Sequence, residues 1–329
     1  MSSDTGANMA DNSGRSAKYY NAELLRTVHL VPLTAYRSDG SLDLEAQAAH
    51  TARMYEAGMR VFLPAAGTSE FHNLSADEIV SLVRVTREAS GSDAQIFAPV
   101  GLQLSHAIDV ARRSLEAGGT GMMFMPFAHP YMSDAGAADY YRAVIDACPC
   151  PTLIYKKSSI PTDRLLLELA SIPHVAGIKY AENNLHDFRR VVAADRGRIE
   201  WMCGSAERFA PYFMLAGAPG YTSGAGNLCP HLTLAMHAAL TAGAWAEGMR
   251  WQQMILPIED FRAREGDSYN IAMLKCAMEI VGTPFGTARP PQRRISETDR
   301  RQIEELLAPI LRAEAELADE TRRVGLASG

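Results

Sequence analysis

The sequence predicts a closed (β/α)₈ barrel followed by a C-terminal helical region. Three observations predict it. Eight short apolar runs recur along the chain, longer amphipathic stretches separate them, and from about residue 232 onward the pattern is wholly helical. Strands alternating with helices imply a parallel sheet. Eight such units imply closure into a barrel, typically of about 250 residues. The 329-residue chain can hold one. An open doubly wound sheet fits less well, because no G-x-G-x-x-G follows the first run.

The first four runs are HLVPLTAY (29–36), RVFLPA (60–65), QIFAPV (95–100) and GMMFMP (121–126). The last four are TLIYKK (152–157), VAGIKYA (175–181), IEWMCGS (199–205) and GYTSGAGN (220–227). Helical patterns lie between them, such as Leu42 to Ala57, Ala76 to Ala89 and Leu104 to Ala117. Two of these end in Ala-Gly, which suits a helix C-terminus. Ser75, with Glu78 three residues on, is a capping box for the second helix. Residues 1–20 are polar and rich in Ser, Asn and Gly, and are expected to be a disordered tail. The barrel is expected over 21–231 and the helical region over 232–329.

Composition excludes several classes. A net charge of −6 gives no electrostatic footprint for nucleic acid. No apolar run is long enough to span a bilayer. The five cysteines, Cys148, Cys150, Cys203, Cys229 and Cys276, include no C-x-x-C pair. They read as free thiols of a reducing cytoplasm. The nine histidines form no H-x-H or H-E-x-x-H, so no metal site is expected.

One residue breaks the pattern. Lys179 sits near the C-terminal end of the otherwise apolar sixth run, and on a strand it shares a face with Gly177 and Ala181. In a barrel, active sites sit at the C-terminal strand ends. If this face points inward, small neighbours leave room for a ligand against the amine. The structural alternative is a lysine that snorkels to the rim or pairs with Glu182.

Three features favour chemistry. Tyr155 and Lys157 share a face of the neighbouring fifth run, and a phenol beside a lysine can shuttle protons at a carbonyl carbon. After the second run, Gly67, Thr68 and Ser69 form a hydroxyl-rich turn whose N–H groups suit a carboxylate. The eighth run, which contains Ser223, has four Gly or Ala residues in eight. Such a strand either admits a ligand closely or closes the barrel tightly. A lysine, a tyrosine and an anion pocket on one mouth suit a Schiff-base enzyme acting on a 2-keto acid. An ordinary lysine has a pKa of about 10.4, so a nucleophile at neutral pH needs roughly 4–5 kcal/mol of destabilisation of its ammonium. Burial supplies part, and a second cation such as Lys157 could supply more.

In these motifs the sequence resembles the dihydrodipicolinate synthase / N-acetylneuraminate lyase superfamily, over roughly residues 28 to 312. VPLTAYRSDGSLD, AGTSEF, Tyr155, GIKY with Lys179, LKCAMEIVG and ARPP match its pattern in order. The resemblance implies a Schiff-base lysine at Lys179, a dimer or tetramer and no cofactor. It also marks departures. Gly67 and Ala128 stand at the synthase's proton-relay threonine and tyrosine, and Ile160 at its carboxylate-gripping arginine. The loop Gly-Thr-x-Glu-Phe is closer to sugar-acid dehydratases such as 5-dehydro-4-deoxyglucarate dehydratase. Glu207 falls where the lyase holds substrate hydroxyls with an acidic residue, but the neighbouring aspartate is Ala206 here.

The expected function is dehydration of a 2-keto-3-deoxy sugar acid. Tyr155 would move the proton and Thr68 and Ser69 would hold the carboxylate. A pyruvate-dependent aldolase or a condensing enzyme would use the same enamine. A keto-acid-binding regulatory barrel is the non-enzymatic alternative.

Overall fold

The computed structural model describes residues 21–126 and 129–327. The expected N-terminal tail and Ala128 lie outside these. Eight parallel strands close in sequence order. They are β1 (Val28–Leu30), β2 (Val61–Phe62), β3 (Gln95–Val100), β4 (Gly121–Phe124), β5 (Thr152–Lys156), β6 (Val175–Tyr180), β7 (Glu200–Cys203) and β8 (Tyr221–Ser223). Each overlaps one of the eight apolar runs. Strands buried on both faces need continuous apolar sequence, which is why the runs show so plainly.

The barrel helices are α1 (Leu44–Glu56), α2 (Ala76–Glu88), α3 (Leu104–Glu116), α4 (Asp134–Ala147), α5 (Asp163–Leu169), α6 (Leu185–Asp195), α7 (Ala206–Leu215) and α8 (Pro230–Thr241). α1 and α3 end at Ala57 and Ala117, and the glycines that follow are left-handed, with φ of 106° at Gly58 and 99° at Gly118. Ser75 and Glu78 form both bonds of the capping box. The 3₁₀ turn Ala22–Leu25 packs against β6 and β7, and Arg26 pairs with Glu200 at the start of β7.

After α8 come α9 (Trp245–Arg262), the four-residue turn α10 (Arg264–Asp267), α11 (Asn270–Ile280) and α12 (Glu297–Ala327). α8 packs on α7 and on β1, so it completes the ring of barrel helices. A division at 231–232 therefore falls inside it, and the extension begins at α9. α12 is not wholly exposed: Ile303, Leu307 and Ile310 are buried. Among the described residues, no helix is long and apolar enough to cross a membrane.

Closure of the barrel explains the last residue of the eighth run. Asn227, in the 3₁₀ turn after β8, is fully buried. Its side-chain oxygen accepts from the Leu33 N–H at 2.9 Å, and its amide donates to the Val31 carbonyl at 2.9 Å. That side chain ties β8 to the chain leaving β1.

Candidate active site

Alternation along β5 separates three consecutive side chains. Tyr155 faces the barrel mouth. Lys156 faces outward and is buried there, donating to the carbonyls of Ser158 and Pro161 at 3.1 and 2.9 Å and pairing with Glu182 at 3.3 Å. Lys157 returns to the mouth, exposed, with no ion pair among the described residues. The Tyr-Lys-Lys sequence is thus one outward structural lysine between two mouth-facing groups.

On β6, Lys179 is paired in register with Tyr155, and its Nζ lies 3.9 Å from the Tyr155 ring centre. The lysine is only 4% exposed. Its pKa falls to about 7, through burial first and then the charges of Lys157 and Arg262. Burial raises the Tyr155 pKa, helped by the charge of Asp267, so the phenol keeps its proton. Gly204, after β7, leaves room for the lysine stem. A Cβ there would stand 3.0 Å from Lys179 Cγ and 2.9 Å from Ala181 Cβ.

These residues line a cavity of about 390 Å³ at the C-terminal mouth. Gly67, Thr68, Lys157 and Ser223 line it too. Two expected residues do not. Ser69 is fully buried, and its hydroxyl donates to the Pro32 carbonyl beyond β1. Pro32 is buried and its carbonyl needs a donor, so the hydroxyl is committed to the fold. Glu207 is also fully buried, and follows the left-handed Ala206 (φ 58°). Its carboxyl accepts from the hydroxyls of Ser223 and Thr233 in the barrel wall, away from the cavity. The expectation that Ser69 and Glu207 meet substrate is therefore corrected. Ser223 supplies wall to the cavity, while its hydroxyl is taken by Glu207 and the Gly226 N–H.

Sequence reasoning missed the part of the site built by the helical extension. Arg262, at the end of α9, is 4% exposed and lines the cavity. Glu259 pairs with it, and the carbonyl and side-chain oxygens of Asn270 accept from it at 3.2 and 2.8 Å. The Thr68 hydroxyl sits beside this cluster, 3.4 Å from the Asn270 side-chain oxygen. Gly224 lets the guanidinium lie against the backbone after β8, since a Cβ there would be 2.5 Å from Nη2. Nothing in a helical Phe-Arg-Ala segment distinguishes this arginine from a solvated one.

A buried lysine poised to lose its proton, beside a protonated phenol in a cationic cavity, defines a barrel enzyme that works through an amine on a carbonyl substrate. The chain belongs to the Dihydrodipicolinate synthetase family, which it matches over residues 25–310. It is 30% identical to the probable 5-dehydro-4-deoxyglucarate dehydratase 1 of Streptomyces coelicolor, covering 84% of this chain and 90% of that one. It is 26% identical to the probable 5-dehydro-4-deoxyglucarate dehydratase of Oceanobacillus iheyensis, covering 85% and 92%. The crystal structure of dihydrodipicolinate synthase from Bacillus clausii superposes with a TM-score of 0.84 at 35% identity, covering 87% and 98%.

Proposed function

We propose that the protein dehydrates a 2-keto-3-deoxy sugar diacid of the 5-dehydro-4-deoxyglucarate type. The observation that carries this reading is the Lys179 amine, with its pKa near 7, beside Tyr155 in a cavity that presents cations on two sides. The dehydratase names of two relatives that align along most of the chain support it.

Neutral Lys179 attacks the keto carbon, C2 counted from the keto-acid end. Tyr155 gives its proton to the carbinolamine hydroxyl, water leaves and the imine forms. The phenolate then takes a proton from C3, and the electron pair moves into the imine to make the enamine. The enamine returns that pair to expel the C4 hydroxyl, which leaves as water with the Tyr155 proton. Hydrolysis of the conjugated imine frees Lys179. Thr68, the N–H groups of its turn and Arg262 hold the keto-acid carboxylate, and Lys157 holds the distal one. Ser69 keeps no hydroxyl for this purpose.

The synthase name of a 35% identical solved structure favours a condensing reaction as the second reading. Gly67 and Ile160 weigh against it, because neither can supply the hydroxyl or guanidinium that the resemblance places there. The enzyme is read as a cytoplasmic homo-oligomer, which light scattering would test.

Borohydride reduction in the presence of 5-dehydro-4-deoxyglucarate should leave a stable adduct on Lys179, and unreduced enzyme should consume the acid. Turnover of pyruvate with an aldehyde, and none of any deoxy keto sugar acid, would replace this reading with the condensing one.

A further inference from the structure

We propose that Asp267 is the specificity residue that binds the hydroxyl groups of the substrate. The inference deepens the reading above and rests on it for the kind of substrate. α10 is not a true helix. Glu265, Gly266 and Asp267 are left-handed in succession, with φ of 48°, 65° and 66°. Side-chain-bearing residues avoid this conformation sterically, and such outliers persist where position matters more than comfort. Here the reversal brings Asp267 to the cavity wall.

The Asp267 carboxylate makes no hydrogen bond and no ion pair among the described residues. It is nonetheless the foremost charge acting on Tyr155. It lines the same cavity as Tyr155 and Lys179, where a substrate bound to the amine would extend. The other carboxylate of the lining, Glu259, is engaged by Arg262. Glu207, the acid that sequence comparison offers for this task, faces the barrel wall.

A carboxylate only accepts hydrogen bonds. Its partner in a ligand must be a donor. The two carboxylates of a keto diacid are acceptors and would be repelled; the hydroxyls between them are donors. Lys157, Arg208 and Arg262 provide for the anionic ends. Asp267 provides for the middle, and so separates hydroxylated keto acids from pyruvate. Asp267 is exposed, so without a hydroxyl its carboxylate keeps its water, and its preference for hydroxylated acids is that of one hydrogen bond to a charged group.

The test uses full-length Asp267→Asn, since Asn tolerates the left-handed region. Asp267→Ala is the second variant. The prediction for Asp267→Ala is a fall in kcat/KM for 5-dehydro-4-deoxyglucarate of roughly tenfold or more, the effect of a lost hydrogen bond to a charged group, with a smaller fall for Asp267→Asn, which keeps one acceptor oxygen without the charge. The pyruvate concentration that half-saturates borohydride trapping on Lys179 should stay within about twofold. A second measurement does not need turnover: D-glucarate should protect Lys179 from trapping by pyruvate, and protection should weaken in both variants. Unchanged kcat/KM and unchanged protection would overturn the proposal, as would an equal loss for pyruvate. Absence of turnover by wild type would defeat the proposed reaction instead, and the protection measurement would still decide the role of Asp267.

Discussion

Lys179 Nζ stands 3.9 Å from the face of the Tyr155 ring, yet the lysine is the more easily deprotonated for its surroundings. A ring face attracts an ammonium by about 0.5–2 kcal/mol. A fall in pKa from 10.5 to about 7 corresponds to roughly 5 kcal/mol in the other direction. Burial and the neighbouring cations therefore outweigh the ring, and the contact positions the nitrogen without keeping it charged.

That imbalance has a stability consequence. Below pH 7 folding must bury a charged lysine, and between pH 7 and 10.5 it must first remove a proton. Wild-type stability contributed by this site is thus present above pH 10.5 and lost as pH falls through 7. Lys179→Met should be inactive but more stable than wild type at pH 6.5 or below, by up to about 5 kcal/mol. The advantage should shrink toward pH 10. Urea unfolding across pH measures this, and an advantage that does not vary with pH would refute the buried-amine assignment.

Glu207 predicts the opposite slope. Burial, and then the charge of Glu259, raises its pKa from 4.5 to about 7. A group raised in the folded state contributes most below its unfolded value and loses that contribution as pH rises through the folded one. Glu207→Gln keeps the shape and the acceptor for Ser223 and Thr233. Its stability relative to wild type should rise between pH 4.5 and 7, by about 3 kcal/mol at most, and then level off. A flat difference over that range would mean that the carboxyl is ionised throughout.

Gly204→Ala tests the positioning of the nucleophile. The added methyl would meet Lys179 Cγ and the Tyr180 carbonyl carbon at 3.0 Å, so the lysine stem must shift. Such overpacking costs about 1–3 kcal/mol of stability. A displacement of the reacting group near 1 Å can cost about 10²-fold in rate. Imine trapping with pyruvate should therefore slow far more than the melting temperature falls. Normal trapping would show that the stem has room to spare.

The barrel was legible because parallel strands leave long apolar signatures, and Lys179 was legible as the charge that interrupts one. Tyr155 and Lys157 followed from the alternation of β5. The rest resisted for geometric reasons. In the turn after β2, one residue separates Thr68 at the cavity from Ser69 in the fold, and sequence does not say which way each hydroxyl turns. Left-handed Ala206 sends Glu207 into the wall, and alanine gives no warning of a positive φ. Arg262, Asp267 and Asn270 reach the mouth from the helical extension, where a charge ordinarily signals a solvated face. The glycine between Glu265 and Asp267 was a visible break beside them.

Lys157 and Arg262 both depress the Lys179 pKa, but they do so from different settings. Arg262 is buried and bound to Glu259 and Asn270, whereas Lys157 is exposed and unpaired among the described residues. Only Lys157 can be removed without stranding a buried partner. Lys157→Met should raise KM for a keto diacid by roughly tenfold while changing KM for acids with an uncharged distal end less than about twofold. It should also move the lower limb of the pH profile of kcat/KM for both substrates to higher pH, because a charge that opposed protonation of Lys179 is gone. The two effects are separable: the first depends on the substrate and the second does not. Equal KM changes for charged and uncharged distal ends would remove the anchoring role. A pH limb that stays in place would show that burial and Arg262 account for the amine without Lys157.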